Sequence, residues 1–167
     1  AGCEPVRGKT VVDIGCGPGV YAIALAKRGA AHVCGVDFSK SMINLAKQKV
    51  KNEEDGHRCK FIHADFMTYP FADKFDYAVA MGFMDYIQDA KKVVERILSL
   101  TREKAFFSFP DSSGLLAWQR KLRYTKKCPL FMYSEKELHT LFRDIICKEY
   151  QIKKISRDFF VTVNIAA

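Results

Sequence analysis

The chain has 167 residues, 49% of them hydrophobic, and a formal charge of +8. That content suits one α/β domain and leaves too little core for two. No run of about 18 apolar residues occurs and the N-terminus lacks a basic-then-apolar signal pattern, so no membrane span is expected and the cytoplasm is the default location. The positive charge admits nucleic acid, anionic lipid or an acidic small molecule as partner without choosing among them.

A β-branched run at 10–14 predicts the first strand, and helical apolar spacing over 20–28 predicts the first helix, stopped by Gly29. Between them Gly15-Cys16-Gly17-Pro18-Gly19 reads as a tight turn in which the backbone approaches a ligand at the strand's carboxyl end. The second strand, 31–37, ends in Asp37, and Ser39 or Ser41 caps a helix running to about Val50. A charged loop at 51–58 leads to a third strand, 59–65, again ending in an acid, and 75–81 is a buried fourth strand. Helix 89–100 follows, then strand 104–109, stopped by Pro110.

Residues 111–133 interrupt this alternation as an insertion, with a helix-like piece at 115–122 and Trp118, Arg120, Lys121, Arg123, Tyr124, Lys126 and Lys127 interleaved. Ser134 and Glu137 form a capping box that opens a helix to about Ile146. The alternating runs 149–155 and 158–165 are separated only by Ser156 and Arg157, a link so short that the two strands must be antiparallel. The six cysteines, Cys3, Cys16, Cys34, Cys59, Cys128 and Cys147, form no C-x-x-C pair and no zinc spacing, so they read as reduced core residues and no metal site is expected. His63 and His139 sit in a strand and a helix as structural residues, and His32 and His57 read as surface.

Three acids, Asp13, Asp37 and Asp65, thus fall at the carboxyl ends of three strands, where open α/β sheets bind ligands. In so basic a chain that clustering implies a cationic ligand. Residues 17–22 also satisfy G-x-G-x-x-A, the looser dinucleotide pattern. A pyrophosphate on the helix N-terminus would however meet Asp13, and two like charges about 4 Å apart repel by roughly 4 kcal/mol at an effective dielectric near 20.

The arrangement Asp13-x-Gly15-x-Gly17-x-Gly19 resembles motif I of the class I S-adenosylmethionine-dependent methyltransferases. The resemblance implies a Rossmann-like three-layer sandwich: a mostly parallel seven-stranded sheet in the order 3-2-1-4-5-7-6, with strand 7 antiparallel. Dinucleotide-binding Rossmann domains lack that closing hairpin. It implies S-adenosyl-L-methionine as cofactor and S-adenosyl-L-homocysteine as product, held by Asp13, Gly15, Cys16, Gly17 and Gly19. Asp37, 24 residues beyond Asp13, matches the acceptor of both ribose hydroxyls, with Phe38 beside the adenine. Asp65 matches the adenine-amino acceptor, flanked by Phe66, and Met81 and Gly82 match backbone contacts to the methionine part.

After the fourth strand, Asp85 and Tyr86 are candidate substrate contacts. There is neither the D/N-P-P-Y motif of adenine amino-methyltransferases nor the Pro-Cys pair of cytosine-C5 enzymes. Methyl transfer from a sulfonium is an in-line displacement that alignment alone accelerates, so no catalytic residue is demanded and none is assigned. Arg120, Arg123 and Lys127 of the insertion are candidate contacts for an anionic acceptor on the substrate side. The finer likeness is to small-molecule O-methyltransferases of the magnesium-protoporphyrin and ubiquinone-pathway type.

The expectation is a single domain over 1–167 that methylates a small molecule, oligomeric state open. Only nine residues precede the first strand, so the lid helices usual in such enzymes are expected to be absent from this chain. An RNA or protein methyltransferase, an NAD(P)-dependent oxidoreductase and a nucleic-acid-binding module stand as alternatives.

Overall fold

The computed structural model describes residues 5–113, 130–145 and 149–165. In chain order these form β1 (Thr10–Ile14), α1 (Val20–Lys27), β2 (His32–Asp37), α2 (Lys40–Val50), a 3-10 turn at Glu54–Arg58, β3 (Cys59–His63) and β4 (Phe75–Ala80). A second 3-10 turn (Met84–Tyr86), α3 (Ala90–Ser99), β5 (Thr101–Pro110), α4 (Glu135–Asp144), β6 (Glu149–Ile155) and β7 (Asp158–Asn164) complete it.

One sheet holds all seven strands in the order β3-β2-β1-β4-β5-β7-β6. The pairs from β3 through β5 are parallel, and β7 runs antiparallel to both β5 and β6. The architecture is the one implied by the motif resemblance. The closing hairpin turns on Ser156, whose φ of 56° is the left-handed conformation that a two-residue link between twisted strands requires.

Because helices cover both faces, β1 and β4 read as nearly continuous apolar runs rather than as alternating ones. Val11, Val33, Ala22, Leu25, Ile43 and Ala46 join one face to α1 and α2. Val12, Phe107, Val94, Ile97, Leu138 and Phe142 join the other to α3 and α4. Ser39 rather than Ser41 caps α2, accepting from the Met42 amide, and the capping box of Ser134 and Glu137 is present on α4.

Three boundaries differ from expectation for physical reasons. The third strand ends at His63, not Asp65, because its partner ladder ends with Asp37 opposite His63, and the Asp65 carboxylate folds back to accept from the Met67 amide at 2.9 Å. The expected loop 51–58 contains the 3-10 turn. The fifth strand spans Thr101–Pro110 because its first residues pair with β4 at Phe75, ahead of the predicted start at 104. Of the predicted insertion, residues 114–129, with Trp118, Arg120, Arg123 and Lys127, lie outside the described residues, as do Cys3, Cys128, Ile146 and Cys147.

Phe142 is fully buried, its ring packed on Phe107, Phe109 and Tyr150. Phe142→Ala should therefore lower unfolding free energy by about 3–5 kcal/mol through lost burial and the cavity left behind. Urea denaturation is the check, and a loss below about 1 kcal/mol would show that α4 is not part of the core.

Candidate ligand site at the carboxyl end of the sheet

The turn after β1 is laid onto the end of β2. The Gly15 and Cys16 amides both donate to the Val36 carbonyl, at 2.9 and 3.1 Å. Gly15, Gly17 and Gly19 take φ of 64°, 50° and 76°, a left-handed series that β-carbons would strain. A Cβ at Gly15 would come within 2.5 Å of the Phe83 ring, whereas one at Gly17 would meet nothing within 4 Å. Gly17 thus presents bare backbone to open space, as close approach to a ligand requires.

Asp37 is fixed beside it: Oδ2 accepts from the Gly17 amide at 2.9 Å and Oδ1 from the Ser39 amide at 2.8 Å. Each oxygen keeps a second lone pair for a further donor. The residue is 9% exposed, while Phe38 next to it is 77% exposed, a large apolar ring left in solvent at the mouth of a cavity of about 830 Å3. The His63 ring meets the Phe38 carbonyl at 2.9 Å and so steadies the backbone there.

Of the expected cofactor residues, Gly15, Gly17, Asp37, Phe38, Asp65, Phe66 and Gly82 line this cavity. Ser39, Met42, Met67, Phe83 and Ile87 line it too. Met42 and Met67 carry no motif and come to the cavity only because α2 begins at Ser39 and the chain turns at Asp65. Among the described residues the lining contains two carboxylates and no Lys, Arg or His.

Cys16, Gly19 and Met81 are not part of the lining. Cys16 is buried, and burial, then Asp13 and Asp37, push its thiol far above the ordinary range, so it is inert as a nucleophile. Tyr86 lines the cavity and is 48% exposed, but Asp85, beside it, is 5% exposed and does not. The reason is the 3-10 turn, which aims successive side chains in different directions. The Asp85 carbonyl accepts from the Phe131 amide at 2.8 Å and the Tyr133 hydroxyl donates to the Ile87 carbonyl at 3.3 Å. Burial, then Asp85 and Glu137, push that hydroxyl up to about 12, which leaves it a donor. Among the described residues no group of three or more His, Cys, Asp or Glu is placed to hold a metal.

Asp13 sits differently from expectation. It is 1% exposed and lies under the turn rather than in the cavity, opposite the first turn of α1, whose N-cap, Gly19, offers no side chain. Burial pushes its carboxyl up to about 7; the Ala22 amide pulls the other way and Asp37 adds to the rise. Near neutrality it is partly protonated, so it does not present the full charge that would repel a pyrophosphate. Hostility to phosphate comes instead from Asp37 and Asp65, which no cation offsets among the described residues of the lining.

The raised value has a sign. The folded state holds a proton that the unfolded chain releases near pH 4, so stability from this group is full below about pH 4 and is lost as pH rises to 7. The difference in unfolding free energy between wild type and Asp13→Asn should fall, to wild type's disadvantage, by up to about 4 kcal/mol across that range. Urea melts at several pH values measure it, and a pH-independent difference would place the carboxylate in contact with water.

The sequence profile of a methyltransferase domain matches residues 11–104, from β1 into β5. The chain is 34% identical over 107 residues to the ubiquinone biosynthesis O-methyltransferase of Coxiella burnetii, covering 62% of this chain and 44% of that one. It is 29% identical over 107 residues to the O-methyltransferase rstn1 of Aspergillus nomiae, covering 64% and 48%. The chain thus spans about half the length of the curated relatives it matches. The fold is shared with the magnesium protoporphyrin IX methyltransferase of Synechocystis, solved with bound SAH, at a TM-score of 0.77 and 20% identity over 96% of this chain and 75% of that one. With the glycine turn, the acid at the end of β2 and the strand order all in place, this chain belongs to the methyltransferase domain family.

Proposed function

We propose that the protein binds S-adenosylmethionine in the carboxyl-end cavity and transfers its methyl group to a small-molecule acceptor. The observation that carries this reading is the lining: among the described residues, two carboxylates, no basic side chain, and bare glycine backbone beside Asp37. Such a surface suits a ligand with ribose hydroxyls, an ammonium and a sulfonium, and disfavours the pyrophosphate of a nicotinamide dinucleotide. The volume also falls within the roughly 300–1,000 Å3 usual for small-molecule sites.

The Asp37 carboxylate, already oriented by two backbone amides, would accept the ribose hydroxyls, Phe38 and Phe66 would flank the adenine, and Asp65 would accept from its amino group. Gly15, Gly17 and Gly82 would lie along the methionine portion, and the orphaned Asp13 Oδ2 beneath the turn would oppose its positive charge from below. The bound cofactor supplies an activated methyl group on sulfur. What this chain adds is alignment, exclusion of water by Phe83 and Ile87, and a docking face at Tyr86 for the acceptor.

The names of the relatives favour an oxygen nucleophile on a small aromatic acceptor, such as a quinol, as the first class to screen. An anionic acceptor is further suggested by Arg120, Arg123 and Lys127 of the insertion, whose departing and returning ends, at Ser112 and Tyr133, are joined beside the turn that bears Tyr86.

Calorimetry with S-adenosylhomocysteine and with NADH should show saturable binding of the first alone; the reverse would overturn the reading. Asp37→Ala should weaken S-adenosylhomocysteine by about 2 kcal/mol or more, roughly thirtyfold, because charge-assisted hydrogen bonds are lost. An unchanged Kd with intact circular dichroism would refute the ribose assignment.

A further inference from the structure

A parallel crossover ordinarily carries a helix. The connection from β3 to β4, residues 64–74, passes β2 and β1 without one. Among the described residues, the sheet face that bears Thr10, Cys34 and Ile62 is therefore roofed at its amino end by residues 69–74 alone, and a second cavity of about 460 Å3 lies there. It shares no lining residue with the first, although the two approach each other along β2, where Cys34 lines this cavity and Val36 the other.

Its walls and its rim differ in chemistry. Ile62, Phe71 and Phe75 supply apolar and aromatic surface, the last two rings edge-to-face with centroids 5.8 Å apart. The rim bears Lys60, Lys74 and Arg102 against a single acid, Asp73. Among the described residues neither Lys60 nor Lys74 has an ion-pair partner. Arg102 stands 3.6 Å from Asp76, whose other oxygen already accepts from the Thr10 amide and hydroxyl at 2.8 and 2.9 Å, and its side chain stays 48% exposed. Lys60 turns its charge over this face rather than away from it: burial pushes the Cys34 thiol up to about 11 and Lys60 is the group that opposes the rise.

We propose that this amino-end cavity is a second ligand site, for a small amphipathic anion: a planar aromatic or short aliphatic body bearing one carboxylate, phosphate or sulfate. The body fills the concave apolar floor and the charge lies among Lys60, Lys74 and Arg102. A free small molecule is the occupant, because the volume is within the small-molecule range and the cations ring a pocket instead of spreading over a plane. The site has a natural line to the other one, since residues 65–67 line the carboxyl-end cavity and 69–75 line this one.

The test is calorimetry of the whole chain with 2-naphthoate, with and without saturating S-adenosylhomocysteine, beside the neutral isostere naphthalene-2-carboxamide. Saturable 1:1 binding that survives the nucleoside, at least tenfold tighter for the anion than for the amide, is expected. Lys60→Glu combined with Lys74→Glu should weaken naphthoate at least tenfold while S-adenosylhomocysteine affinity and the urea midpoint stay unchanged; both residues are exposed and, among the described residues, neither forms an ion pair. Absence of saturable binding, equal binding of the amide, or an unaffected double variant overturns the proposal. Loss of naphthoate binding when the nucleoside is added would assign the probe to the carboxyl-end cavity and overturn it as well. A groove made for an acidic peptide or an anionic membrane would leave naphthoate unbound, which is the first of these outcomes.

Discussion

The Asp37 carboxylate is the knot that the ligand end of the molecule is tied around. It takes one backbone amide from the glycine turn after β1 and one from the start of α2, and the turn in turn donates two amides to Val36 just before it. Three elements are thereby fixed by a single buried side chain at the tip of a central strand. Hydrogen bonds to an ionised acceptor are worth about 1.5–3 kcal/mol each, so this arrangement resists the fraying that a loop of five residues with three glycines would otherwise show. A ligand that takes the remaining lone pairs of Asp37 finds them already aimed, which lowers the ordering cost of binding.

The electrostatics of the chain are divided by place. A net charge of +8 would lead one to expect anion binding everywhere, yet among the described residues the only charged side chains lining the carboxyl-end cavity are the acids Asp37 and Asp65. Lys60, Lys74 and Arg102 gather instead at the amino end, and Lys9 pairs with Glu103 on the same side of the sheet. Opposite signs at opposite ends of one set of strands give each end a different ligand preference, a distinction that net charge averages away.

Much of this was legible before any coordinates. The glycine turn, the acid at the end of β2 and the two-residue link between β6 and β7 are local signals whose physics admits few alternatives, and the strand order is what the family resemblance carried by that turn implies. What was not legible depends on contacts distant in sequence. Asp65 falls outside β3 because β2 stops at Asp37, a fact about the neighbouring strand. Asp13 looks like a ligand residue from its motif, but its side chain turns under the glycine loop toward Ala22 and burial raises its pKa to about 7. Asp85 and Tyr86 are adjacent in sequence and opposite in exposure because both lie in a 3-10 turn that aims successive side chains apart, and Met42 reaches the cavity only through the cap that starts α2 at Ser39. Period and propensity specify elements; they do not specify which way a side chain at an element's end will face.

The missing crossover helix links these threads. A helix over β2 and β1 would cover the half-buried Ile62 and seal the amino end, and the segment between β3 and β4 would then serve the fold alone. Without it, eleven residues carry several tasks at once. Phe66 enters the core, Asp65 and Met67 shape one cavity, and Tyr69 to Phe71 roof another, held down by the Arg96 guanidinium donating to the Tyr69 carbonyl at 3.0 Å and by edge-to-face contact of the Tyr69 and Phe71 rings. A strap anchored by a few such contacts opens more readily than a helix packed along its length, because fewer buried contacts oppose the opening. Both cavities are therefore bordered by the same short segment, and its resistance to opening is set by the Arg96 hydrogen bond and the aromatic contacts.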